Sequence, residues 1–167
     1  GLKMASLLTL TTRNLPIVTT SLAARITARS VSCSSPFHSP AVQPKSKKTL
    51  AKPGVRNVVV VEGVRTPFLM SGTTYTDLMP HDLARTALQG LLDRTAIPTE
   101  AVEYIVYGTV IMEVKTSNVA REAALGAGFS DKTPAHTVAM ACISSNQAMT
   151  TGVGLLTSGQ CDVVIAG

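Results

Sequence analysis

Tryptophan is absent from this 167-residue chain, and three tyrosines and three phenylalanines are its only other large rings. A core with so few rings has to be filled by small and branched side chains. Ala, Val, Leu, Gly and Thr dominate, a composition suited to helices packed closely on a sheet. Cysteine is also scarce. The three residues, Cys33, Cys142 and Cys161, show neither paired nor metal-ligand spacing, which argues against a disulfide scaffold and a cysteine-built metal centre. No apolar run is long enough to span a bilayer, and none near the N-terminus reaches the length of a secretory core, about 7–15 residues.

The most informative absence is of acidic residues. Residues 1–56 contain nine Lys and Arg and no Asp or Glu, whereas residues 57–167 contain six basic and ten acidic residues, a net of −4. The overall charge of +5 therefore belongs to the leader. The remainder is mildly acidic and offers no basic surface for nucleic acid. A leader without acids, rich in Ser and Thr, with Arg spaced among Leu, Ile and Ala, has the composition of a mitochondrial presequence. Leu22 to Arg29 can form a short basic amphipathic helix attracted to anionic membrane surfaces. The presequence is expected over residues 1–38 and a basic Pro/Lys-rich linker over 39–56, with order beginning at Asn57. Cleavage is expected between Arg29 and Val42.

From residue 57 onward, strand and helix patterns alternate. Val58–Val61 reads as a strand buried on both faces. Residues 80–93 carry Leu83, Ala84, Ala87, Leu88, Leu91 and Leu92 at helical spacing, with Pro80 in the first turn. Tyr104–Tyr107 reads as a second strand ending at Gly108. Ser117 is expected to cap a helix running to about Leu125. Ala135–Met140 reads as a third strand, Cys142–Ser158 as a third helix followed by Gly159 at its C′ position, and Cys161–Ala166 as a fourth strand. The order βαβαβαβ implies a layered α/β fold with a mostly parallel sheet. The last strand pattern stops one residue short of Gly167, so the chain is expected to be part of a longer protein.

Cys142, in Val138-Ala-Met-Ala-Cys142-Ile-Ser-Ser-Asn-Gln147, lies where a strand turns into a helix. Unpaired amides and the positive end of the helix dipole favour a thiolate there, and a thiolate can attack a thioester carbonyl and hold the acyl group. Ala141, Ser144 and Ser145 are small enough to leave room for a substrate. The alternative for Cys142 is a buried structural cysteine; Cys161, flanked by strand residues, reads as core. His38 lies in the linker, His81 near a helix start reads as a surface or capping residue, and His136 as a core or interface residue with its hydrogen bonds satisfied. A nicotinamide-binding fold would need Gly-x-Gly-x-x-Gly after the first strand. Gly63 stands alone there, and Gly126-Ala-Gly128 and Gly152-Val-Gly154 fall in or at the end of helices.

Several segments in order resemble the N-terminal half of the thiolase family. They are Gly63-Val-Arg-Thr-Pro-Phe68, Asn118-Val-Ala-Arg-Glu-Ala-Ala-Leu125, and the Cys142 segment followed by Gly152-Val-Gly154 and Ser158-Gly159. The resemblance implies a partial thiolase N-terminal domain over residues 57–167. It also implies an acyltransferase in which Cys142 forms the acyl-thioester intermediate, with coenzyme A as co-substrate, no permanently bound cofactor and no metal. Met79-Pro-His-Asp82, Glu113-Val-Lys-Thr-Ser117 and Phe129-Ser-Asp-Lys-Thr-Pro134 are similar to a mitochondrial trifunctional branch of the family. That implies action on long-chain 3-ketoacyl-CoA in β-oxidation, a homodimer of thiolase subunits, a hydratase/dehydrogenase α subunit as partner, and association with the inner mitochondrial membrane. Two positions depart from the family pattern. Ala139 stands where Asn, Ser or Thr is common, which removes a hydrogen bond at the strand end, and Leu69 stands where Gly often follows Pro-Phe. The family's Gly-His-Pro base, its Cys-x-Gly cysteine and its Glu-Ala-Phe oxyanion support belong to the C-terminal half, outside these residues. The 167-residue chain is therefore expected to be inactive by itself, and the alternative is a non-enzymatic subunit fragment acting only through partner binding.

Overall fold

The computed structural model describes the backbone of residues 6–12 and all of residues 53–167. The helix expected at 22–29, most of the linker, Cys33 and His38 lie outside the described residues.

The elements in chain order are β1 (Ser6–Thr12), β2 (Val58–Arg65), α1 (Pro80–Thr95), a 3₁₀ turn (Thr99–Ala101), β3 (Tyr104–Gly108), α2 (Val119–Gly126), β4 (Ala135–Val138), α3 (Ser144–Thr157) and β5 (Val163–Ala166). The five strands form one sheet in the order β2-β1-β5-β3-β4. β3 runs parallel to β4 and β5, whereas β1 is antiparallel to both its neighbours. From β2 onward the alternation of strand and helix is the one expected.

The period-two alternation of strand side chains sorts the core into two layers. Ile105 and Tyr107 of β3 and Val163 and Ile165 of β5 pack with Leu88 and Leu91 of α1 and Ala120, Ala123 and Ala124 of α2. Val106, Val164 and Ala166 face the opposite way, onto Ala148 and Leu156 of α3. The sheet is thus covered on both faces, which is why β5 is buried at every position. The alanines of α2 let it approach the sheet closely, and Tyr107 reaches across to donate its hydroxyl to Ala84 O at 2.9 Å.

Several expectations need correction, among them two strand ends: β4 stops at Val138 rather than Met140, and β5 starts at Val163 rather than Cys161. Val58–Val61 is not buried on both faces: Val60 and Val61 are exposed, because β2 is an edge strand paired only with β1 and the register slips at Thr9/Leu10, opposite Val61. Arg56, placed in the linker by the sequence, pairs with Asp162 at 2.7 Å. The cap of α2 is Asn118 rather than Ser117, its side chain accepting from Arg121 N. α3 starts at Ser144, leaving Cys142 in the turn before it. The seven residues of β1 lie within the expected presequence, where the sequence suggested no strand, and they form one. Ser-Leu-Leu-Thr-Leu-Thr-Thr is rich in β-branched threonine, and it pairs on one side with β2 and on the other with β5. The last strand is consequently interior, and β2 and β4 form the sheet edges.

Candidate active site

Cys142 is exposed, in the turn between β4 and α3. Cys161 is buried, as expected of a core residue, and burial together with the nearby Glu103 and Asp162 carboxylates pushes its thiol pKa up. Both groups disfavour its thiolate. Of the two described cysteines, only Cys142 is presented to solvent.

The turn that presents it is built from a few contacts. Ala141 takes a left-handed backbone conformation, φ 47°, which L-residues other than Asn and Asp rarely adopt. Ser144, which the sequence suggested as a small residue beside the substrate, is instead buried at 2% exposure. Its hydroxyl accepts from Met140 N at 2.8 Å and faces the carbonyls of Ala141 (2.7 Å) and Thr109 (2.9 Å) as donor. Thr109 N in turn donates to Val138 O, the last residue of β4, at 2.9 Å. The strand end is therefore held from β3 and from Ser144, and the turn forms with Ala139 in place. Gly108 completes the seat, because a Cβ there would overlap the Ser144 carbonyl and the Ser145 amide nitrogen.

β4 is fixed on its other side by α2. Asn118 Oδ1 accepts from Arg121 N (3.2 Å) and Thr137 Oγ (2.9 Å), while its Nδ2 donates to Ala135 O (3.0 Å). Arg121 donates to the carbonyls of Thr133 and Asp131, both at 2.9 Å. The Asn-x-x-Arg spacing thus staples one helix start to the strand that leads to Cys142. Sequence reasoning found Asn118 and Arg121 only as a resemblance, and it missed Gly108 and the inward aim of Ser144.

The histidines sit away from this chemistry in character. His81 Nδ1 lies 2.7 Å from Glu113 Oε1, and Glu113 is itself buried, so His81 belongs to the polar cluster at the start of α1. His136 Nδ1 meets Tyr104 Oη at 3.2 Å, with the rings edge to face, and desolvation lowers its pKa. Both have side-chain partners, but the capping box of α1 is made by Met79 and Asp82 rather than His81, and His136 is half-buried on the edge strand β4 rather than in the core. Among the described residues no group of His, Cys, Asp and Glu could hold a metal ion, and no helix is long and apolar enough to cross a membrane.

The thiolase N-terminal domain family matches residues 58–167, the whole region from β2 to β5. The chain belongs to the thiolase family. It is 73% identical over 165 residues to the mouse protein named trifunctional enzyme subunit beta, mitochondrial, covering 98% of this chain and 34% of that protein. The human protein of the same name is 71% identical over 163 residues, covering 97% and 34%. A probable 3-ketoacyl-CoA thiolase of Caenorhabditis elegans is 53% identical over 123 residues, covering 74% of this chain and 28% of its own. Among solved structures, the Bacillus anthracis acetyl-CoA acetyltransferase matches with a TM-score of 0.55 and 31% identity, over 57% of this chain and 24% of that one. The chain spans about a third of the length of the curated relatives it matches.

Proposed function

We propose that this thiolase-family chain supplies the nucleophile of a mitochondrial 3-ketoacyl-CoA thiolase. The observation that carries the proposal is the exposure of Cys142 on a braced strand–turn–helix inside the family-matched region. The thiolate of Cys142 adds to the C3 carbonyl of a 3-ketoacyl-CoA. The C2–C3 bond then breaks, acetyl-CoA leaves as its carbanion and takes up a proton, and the shortened acyl group remains on sulfur as a thioester. A second CoA thiol attacks that thioester, releasing the new acyl-CoA and returning the cysteine. Coenzyme A is thus a co-substrate, and no metal or permanent cofactor takes part.

The identity to mitochondrial trifunctional enzyme β subunits supports a mitochondrial location and a trifunctional α subunit as partner; long-chain 3-ketoacyl-CoA as substrate, a homodimer of thiolase subunits and a position at the inner membrane are part of the same proposal and follow from the resemblance to that branch. The acid-free leader supports import. Proton transfer to and from Cys142 and acetyl-CoA falls to residues outside these 167. With about a third of its relatives' length, the chain alone has no thiolase activity.

The test is mass-spectrometric trapping of the acyl-enzyme in the full-length protein with a 3-ketoacyl-CoA. The adduct maps to Cys142 and is lost in Cys142→Ser. An adduct on Cys161, or CoA-dependent cleavage by the 167-residue chain alone, would overturn the assignment. The non-enzymatic reading predicts no adduct at all.

A further inference from the structure

The conformation of Ala141 cannot be explained by its own preferences. A left-handed residue that is neither Gly, Asn nor Asp persists only where its surroundings impose it, and such residues gather at functional turns. One side chain imposes it here from both sides. Ser144 Oγ accepts from the N–H of Met140, immediately before Ala141, and its proton is directed at the carbonyls of Ala141 itself and of Thr109. The amides of Ile143 and Ser144 close the same turn, onto Met140 O and Ala141 O, each at 3.2 Å. With Gly108 seated against the Ser144 peptide, the turn is referenced to the end of β3 as well as to α3. Cys142 lies between Ala141 and the buried Ser144, in a turn whose residues 139–143 are all exposed, so the anchor at Ser144 sets where its sulfur stands.

We propose that Ser144 is a positioning residue for Cys142, holding Ala141 left-handed so that the sulfur stands at the reacting carbonyl. The proposal rests on Cys142 being the nucleophile. At 2% exposure Ser144 cannot touch a substrate, so it acts only through the turn. Losing its hydroxyl releases Ala141 toward ordinary backbone angles and displaces Cys142. A displacement of about 1 Å in a reacting group costs on the order of 100-fold in rate. Glycine adopts positive φ without penalty, so at position 141 it should restore the turn without the hydroxyl.

The experiment measures formation of the Cys142 acyl-enzyme in the full-length protein, from a 3-ketoacyl-CoA, by rapid quench and mass spectrometry, alongside thermal unfolding. Ser144→Ala is expected to slow acylation at saturation about 100-fold while the half-saturating concentration changes less than about threefold. Adding Ala141→Gly to Ser144→Ala is expected to recover about tenfold or more of the lost rate. A residue that merely stabilised the fold would lower the unfolding temperature without this recovery. Acylation by S144A within about threefold of the unaltered protein overturns the proposal, as does a double variant no faster than S144A. If S144A does not fold, A141G is compared with A141G/S144A. Rates within about tenfold support the proposal, and a larger loss overturns it. An unaltered protein that acylates at Cys161, or not at all, removes the nucleophile assignment and this proposal with it.

Discussion

Replacing Gly108 by Ala should be among the most damaging single-methyl additions in the molecule, although Gly108 is neither left-handed nor in a turn of its own. The added Cβ would lie 2.5 Å from both the carbonyl oxygen of Ser144 and the amide nitrogen of Ser145. Carbon begins to make ordinary contact at about 3.5 Å, so the first turn of α3 must retreat by about 1 Å from β3. The obstruction is backbone, which has no alternative rotamer. Overpacking of this kind costs about 1–3 kcal/mol, and a backbone wall places the change at the upper end, about 3 kcal/mol. For a domain of this size that lowers Tm by roughly 10–20 °C. The control is Gly90→Ala in α1, where nothing lies within 4 Å of the added Cβ. There the same methyl removes the backbone freedom of a helical glycine and should stabilise by about 0.5–1 kcal/mol. Thermal unfolding followed by circular dichroism reads both variants. Displacement of α3 should also alter the rate at which iodoacetamide labels Cys142, mapped by peptide mass. The steric argument fails if G108A unfolds within about 3 °C of the unaltered chain, or if G90A is destabilised as much as G108A.

Asn118→Ala removes the cap of α2 together with the bonds to Ala135 O and Thr137 Oγ, so it should cost about 2 kcal/mol, the upper end for a cap, measured by urea denaturation. Asp82 accepts from Met79 N at 3.0 Å, and that bond holds its carboxyl pKa below the ordinary 3.8. A depressed carboxyl pKa stabilises the fold fully above the unfolded value, and the contribution is lost as pH falls below about 4 through the folded pKa. Asp82→Asn should accordingly flatten stability between pH 5 and pH 3 in acid unfolding curves. Deleting residues 1–12 takes β1 out of the sheet and leaves the facing edges of β2 and β5 unpaired. Light scattering after size exclusion should then show larger oligomers than the full 167 residues form.

The alternation of strands and helices was legible because burial imposes two periods that composition cannot hide. The α1 stripe was found nearly residue by residue, since five of its six expected apolar positions are buried and Leu92 packs beside them. Element ends were less legible where a side chain chose between two neighbours. Ser117 and Asn118 are both good caps in isolation, and Asn118 wins because its amide also reaches Ala135 O on β4, a contact 17 residues away that local preference cannot register. The β2 valines misled for a similar reason. A run of four β-branched residues fits a strand buried on both faces, yet position in the sheet decides exposure, and β2 is at the edge.

At the site, the candidate nucleophile was legible and the contacts around it were not. Cys142 stood out through its chemistry and its place before a helix, both local properties. The turn that holds it depends on Gly108 at the end of β3 and Thr109 just after it, more than 30 residues earlier, meeting Ser144 through a missing Cβ and a buried hydroxyl. Neither a serine near a helix start nor a glycine at a strand end is unusual alone, and only their coincidence in space gives them a task. Ala139 shows the same from the other side. Read alone it was a lost hydrogen bond at the strand end, but Thr109 N donating to Val138 O and Met140 N donating to Ser144 Oγ secure the residues flanking it. The exposure of Cys142 is therefore set by the crossing of β3, β4 and α3, and substitutions in β3 should reach the sulfur without touching the segment that contains it.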